Sequence, residues 1–218
     1  MAAPLPELTR RSARFGAGAL FGVSLCAIAA VLIAWRSGTP RDDSAEAGFA
    51  RDMATHHAQA VEMSLVIRDK SADEELRTLA YDIIVTQSAQ RGVFMGWLQA
   101  WGLPQASTRP RMGWMPGHAA MVGAPTSGTA LMHGMASEDA LRRLRVAQGV
   151  DAEILFLQLM IRHHEGGVLM ARALEGLSRR ADAVGMAKSI EDGQRAEIAQ
   201  MTEMLAKRAA QPLASLLE

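Results

Sequence analysis

A chain of 218 residues with 49% hydrophobic and 5% aromatic content can bury one core of ordinary size and is not a disordered polymer. Its formal net charge is +0, but Arg10, Arg11, Arg14, Arg36 and Arg41 stand against Glu7 alone in the first 41 positions, which leaves 18 basic against 22 acidic side chains in the remainder. That balance excludes the basic stripe nucleic-acid binding needs, and the abundance of alanine, leucine and methionine predicts an all-α fold.

Residues 1–14 read as a basic cytoplasmic N-terminus. Phe15 to Trp35 is uncharged and, at about 1.5 Å per residue, long enough to cross a hydrocarbon core of roughly 30 Å. Arginines close before it place the rest of the chain outside the cytoplasm by the positive-inside tendency. The segment is expected to be a single transmembrane anchor or uncleaved signal. The alternative is a cleaved signal peptide with its processing site around Ala27 to Ala30, which would leave a secreted protein. Cys26, the only cysteine, lies inside this run and can form no intramolecular disulfide.

Residues 36–44 form a polar linker, and the folded domain is expected over 45–209, followed by a tail at 210–218. Apolar positions recur at helical spacing from Phe49 to Ile67. Ser71 with Glu74 reads as a capping box for a second helix, which Gly102-Leu103-Pro104 ends. Between 103 and 136 the pattern breaks into Gly, Pro, Ser and Thr among methionines, and Pro116 with several glycines argues for a mobile loop. A short helix from Ser137 to Gln148 stops at Gly149. Two further helices are predicted from Asp151 to Leu177 and from Arg179 to Ala209.

The chain is internally duplicated. Phe49, Met53, His56, His57, Val61 and Met63 are each matched 107 positions later by Phe156, Met160, His163, His164, Val168 and Met170, and the offset persists through Ile83 and Ile190, Gln87 and Gln194, Leu98 and Leu205. Repeat one therefore covers 45–102 and repeat two 137–209. Neither hairpin has an apolar face wide enough to stand alone, so the two are expected to pack as a four-helix bundle with pseudo-twofold symmetry.

At about 100° per residue, Met53, His56, His57, Ala60 and Met63 share an arc of about 120°, the width of an inward stripe. The adjacent imidazoles splay to either side of it. One reading makes the methionines core filler and the histidines satisfied buried groups. The other makes Met53, His56, His57, Met63, Met160, His163, His164 and Met170 metal ligands. Thioether and imidazole without thiolate suit Cu(I), whereas zinc gains little from methionine. Copper is thus the expected ion, and no organic cofactor is expected. The linker adds Met112, Met115, His118, Met121, Met132, His133 and Met135, read either as secondary ligands for capture, transfer or closure over the bundle site or as incidental residues of a solvated linker.

A di-iron centre would require Glu-x-x-His. The residues three before the six histidines are Met53, Ala54, Met115, Ala130, Met160 and Ile161, and Glu62 points away from the histidine face. No nucleophile elbow, phosphate loop or Cys-x-x-Cys pair is present, so nothing requires an enzyme. A metal-free interaction module of the cell envelope and a metal-dependent oxidoreductase remain as alternatives. The expected partners are a metal ion, the membrane through the N-terminal segment and, as a further candidate, a copper carrier protein; no nucleic acid is expected.

The two motifs, Phe49-x3-Met53-x2-His56-His57-x-Gln59-Ala60-Val61-x-Met63 and Phe156-x3-Met160-x2-His163-His164-Glu165-Gly166-Gly167-Val168-x-Met170, resemble the bacterial family known as domain of unknown function 305 over roughly 45–209. The resemblance implies a ferritin-like four-helix fold and export. It also implies a likeness to secreted copper-binding and copper-resistance proteins that use Met and His ligands. The first repeat departs from the second where Arg91 matches Ile198 and Phe94 matches Met201.

Overall fold

The computed structural model describes residues 38–117 and 132–217. The segment 15–35 read as an anchor lies outside the described residues, as do His118 and Met121. No helix among the described residues is long and apolar enough to cross a membrane.

Five helices and no strands are present among the described residues: α1 (Ala45–Lys70), α2 (Glu74–Ala100), α3 (Glu138–Val146), α4 (Gly149–Leu177) and α5 (Ala181–Lys207). Ser44 caps α1 by accepting from the Ala47 amide at 3.2 Å, with Glu46 in the first turn and Arg68 and Lys70 in the last, where the helix dipole favours each sign. The expected capping box at Ser71 is not formed. Asp73 caps α2 instead, its carboxylate accepting from the Glu75 and Leu76 amides at 2.9 and 3.1 Å. A carboxylate nearer the helix start satisfies two free amides where the hydroxyl could satisfy one. Gly149 likewise does not stop a helix but starts α4, with φ +54°.

Ser71 is spent elsewhere: its hydroxyl donates to Glu153 at 2.5 Å on α4. The duplication repeats this bond across the molecule. Ser178, 107 positions after Ser71, donates to Glu46 at 2.6 Å, and Glu46 is the match of Glu153. Each hairpin turn is thereby tied to the first helix of the other repeat. Arg208, almost fully buried, closes one end by bonding both Glu153 (2.8 Å) and Asp73 (2.7 Å).

The helices pack as α1 on α2, α4 on α5, and α1 on α4. Two apolar clusters result, and all four long helices contribute to both. One holds Met63, Ile67, Leu76, Ile83, Phe156, Met160, Met201 and Leu205. The other holds Phe49, Met53, Phe94, Leu98, Met170, Leu174 and Ile190. Each includes residues from the first half of one long helix and the second half of its counterpart, so α1 and α4 run antiparallel. The histidine pairs fall between the clusters.

The connection between repeats departs from a mobile loop in its described flanks. Met112 and Met132 are fully buried and Met115 nearly so, all in the cluster that holds Met53 and Met170. Asp52 accepts from the Met112 amide at 2.7 Å and from the Trp114 indole at 2.9 Å, which holds Met112 at φ +60°. On the other flank the Gln59 amide both donates to the Ala136 carbonyl (3.0 Å) and accepts from its N–H (2.7 Å).

Candidate metal centre

The four paired histidines have no exposed surface. Their disposition follows from adjacency on a helix: neighbours stand about 100° apart, so one ring of each pair faces the middle of the fold and the other faces the hairpin partner. His56 and His163, matched residues of the two repeats, stack at the centre with ring centroids 3.7 Å apart and planes tilted by 33°. His57 and His164 turn outward to α2 and α5.

Hydrogen bonds fix the tautomers. His56 Nε2 lies 3.0 Å from the His133 carbonyl oxygen, which can only accept, so Nε2 carries the proton. His57 Nε2 donates to Gln90 Oε1 at 2.8 Å and His164 Nε2 to Glu197 Oε2 at 2.7 Å. In His56 and His57, which burial holds neutral, Nδ1 is then left as a bare lone pair. All four Nδ1 atoms are buried without a hydrogen-bond partner, as is Nε2 of His163 and both amide atoms of the matched pair Gln87 and Gln194.

Burial disfavours a charged imidazole. It pushes His56 down to about 3, against the His133 carbonyl, which favours the protonated ring. His57 and His163 are likewise held well below the ordinary histidine range, by burial first and by neighbouring histidines second. Neutral rings with free lone pairs are the protonation state that metal ligation needs.

Methionine sulfur borders the layer on both sides. Met53 of repeat one shares a cluster with Met170 of repeat two, and Met63 shares the other with Met160. All four are fully buried. Of the linker candidates, Met112, Met115 and Met132 lie in the Met53 cluster and Met135 packs against it. His133 is nearly buried and contributes its carbonyl to His56. Glu62 pairs with Arg145 on the surface, away from the histidines. Among the described residues, no three His, Cys, Asp or Glu side chains converge on one point.

The segment over the layer explains the glycines of the second motif. A side chain on Gly166 would strike the His133 carbonyl, one on Gly167 would strike the Gln194 amide, and one on Gly134, at φ +75°, would strike the Arg162 carbonyl. Sequence reasoning missed Gln90, Glu197 and Asp52. Gln90 and Glu197 stand at matched positions, but differ in residue type, so the repeat did not mark them.

The fold and this layer define an all-helical protein built by duplication around buried histidine and methionine. Residues 46–205 match the family Domain of unknown function (DUF305), and the chain belongs to it. Among solved structures it is similar to a DUF305 protein of Streptomyces coelicolor whose name includes the words secreted protein, with 42% identity, 80% of this chain and 99% of that one covered, and a TM-score of 0.72. A DUF305 fragment from Deinococcus radiodurans is 32% identical over 75% of this chain and 96% of its own, with a TM-score of 0.61. CopM in its Cu(I)-bound form is 25% identical over 78% of this chain and 98% of its own, with a TM-score of 0.55; CopM is also seen with Cu(II) and with Ag. No curated protein matches the chain.

Proposed function

We propose that this chain is an extracytoplasmic, membrane-anchored copper-binding protein that sequesters or transfers Cu(I). The observation that carries the reading is the set of four buried Nδ1 atoms without hydrogen-bond partners, three of them in rings whose Nε2 meets a protein acceptor, in a fold whose two apolar clusters hold four buried methionines. A metal-binding histidine characteristically gives its other N–H to a carbonyl or carboxylate, the arrangement found at His56, His57 and His164. Met53, His56, His57, Met63, Met160, His163, His164 and Met170 would supply the donors. The buried linker residues Met112, Met115, Met132 and His133 and the partly buried Met135, with His118 and Met121, would serve capture or release. The likeness to CopM, a protein seen with Cu(I), supports the choice of ion.

The fold that accompanies this reading is a ferritin-like four-helix bundle over 45–209, with its ligands facing inward from the two central helices. The anchor rests on the uncharged run from Phe15 to Trp35 and the preceding arginines. The Streptomyces relative with secreted protein in its name supports a place outside the cytoplasm.

The test is competition for Cu(I) between the full-length chain and a chromogenic chelator, alongside a variant with His56, His57, His163 and His164 replaced by alanine. Tight binding by the first and not the second is expected. Equal binding would move the site to the linker methionines, and no binding by either would leave a metal-free module.

A further inference from the structure

The two repeats are not equivalent around their outer histidines. His57 and His164 are matched residues, and each sends its Nε2 to the matched position of its own hairpin partner. That position is the neutral amide Gln90 in repeat one, at 2.8 Å, and the carboxylate Glu197 in repeat two, at 2.7 Å. The following position reinforces the difference. Arg91 donates to the Ala54 carbonyl at 3.1 Å, which sets a guanidinium about one turn from His57, whereas its match is Ile198. Four residues past Gln90 stands Phe94, whose ring centre is 5.9 Å from that of His57, and four past Glu197 stands the buried thioether Met201.

These three differences act in the same direction on a cation. An ion entering a layer with no exposed surface loses its hydration and is held only where the surroundings return a compensating charge and donor atoms. Repeat two supplies a negative carboxylate behind the imidazole and a sulfur on the same helix face. Repeat one supplies a dipole, a fixed positive charge and a ring. A carboxylate accepting the N–H of a ligand histidine also raises the basicity of the other ring nitrogen, which an amide oxygen does less strongly. Glu197 keeps 22% of its side chain exposed while His164 is fully buried, so the pair reaches solvent at its carboxylate end.

We propose that the two matched positions bind unequally, the high-affinity cation position lying in repeat two, with His164 Nδ1 as donor and Glu197 as its positioning and charge-compensating residue, while the matched position at His57 contributes a weaker donor. The inference rests on the copper reading above and adds its polarity. The central pair, His56 and His163, draws one ring from each repeat and stacks between them.

The experiment is Cu(I) titration of the full-length chain against a chromogenic chelator, with urea unfolding of each variant as a check on folding. His164→Ala should weaken the tight phase at least tenfold, and by clearly more than His57→Ala does. Glu197→Gln, isosteric and partly exposed, should weaken it by about 10- to 100-fold. Gln90→Glu with Arg91→Ile, introduced into the Glu197→Gln background, should restore tight binding, now sensitive to His57→Ala instead. Equal losses at His57 and His164, or failure of the transplanted carboxylate to restore affinity, would overturn the inequality and leave the copper reading standing. Absence of tight Cu(I) binding in the unmodified chain would overturn both.

Discussion

His56 and His163 occupy the same position of the two repeats, and their ring centroids lie 3.7 Å apart with neither ring exposed. His56 gives its Nε2 proton to the His133 carbonyl, but neither ring nitrogen of His163 completes a hydrogen bond. A buried polar ring without partners is costly to the metal-free fold. His163→Leu, close in volume, is therefore expected to raise the stability of the metal-free protein by about 1 kcal/mol or more, while lowering Cu(I) affinity. Urea unfolding and chelator competition on the same variant measure both. Loss of stability without loss of affinity would count against ligation.

The pH dependence of the metal-free protein follows from the same burial. His56, His57 and His163 have folded pKa values below the ordinary range, so the unfolded chain binds more protons than the folded one once pH drops below about 6.5. Their stabilising effect is present above that value and is lost progressively as pH falls toward the folded pKa, about 3 for His56. For His56 the loss between pH 7 and pH 5 should be about 2 kcal/mol, and His57 and His163 act in the same direction. The lowered carboxyls of Asp73, Asp182 and Glu191 act in a separate window, below about pH 4. Urea midpoints at pH 7, 6 and 5 check this; a flat profile would contradict it.

Gly166 and Gly193 make a paired test of close approach. A methyl group on Gly166 would collide with the His133 carbonyl, while one on Gly193 would meet nothing within 4 Å. Gly166→Ala is expected to destabilise by about 2 kcal/mol and to release the His56 hydrogen bond. Gly193→Ala, in the exposed interior of α5, should stabilise by about 0.5–1 kcal/mol. Thermal melts of the two variants suffice.

Asp52 holds the strap that follows α2. Its carboxylate receives the Met112 amide and the Trp114 indole, and the ring of Trp114 lies against the site where Gly48 has no side chain. Asp52→Ala would leave these donors without their acceptor and the positive φ of Met112 without support. A loss of about 3 kcal/mol is expected, with new proteolytic cleavage between residues 104 and 117. Unchanged resistance to protease would show that burial of Met112 alone holds the strap.

Much of this molecule was legible in one dimension. The constant offset of 107 residues identified two equivalent hairpins, and helical periodicity put Met53, His56, His57 and Met63 on one inward face, where all four are buried. Periodicity works there because an apolar stripe of helical spacing can be hidden only by turning it inward. The start of α2 was misplaced at Ser71 because a capping motif cannot say which competing acceptor is nearer, and Ser71 is drawn away by Glu153, 82 residues later in the chain. The burial of Met112 and Met132 was hidden for a similar reason: glycine and proline mark broken periodicity, not exposure. Only the tertiary structure decided that His56 meets His163, that His57 and His164 face an amide and a carboxylate, and that four Nδ1 atoms lack partners. Those facts depend on which helix packs against which, and contacts between residues far apart in the chain leave no periodic trace in either segment alone.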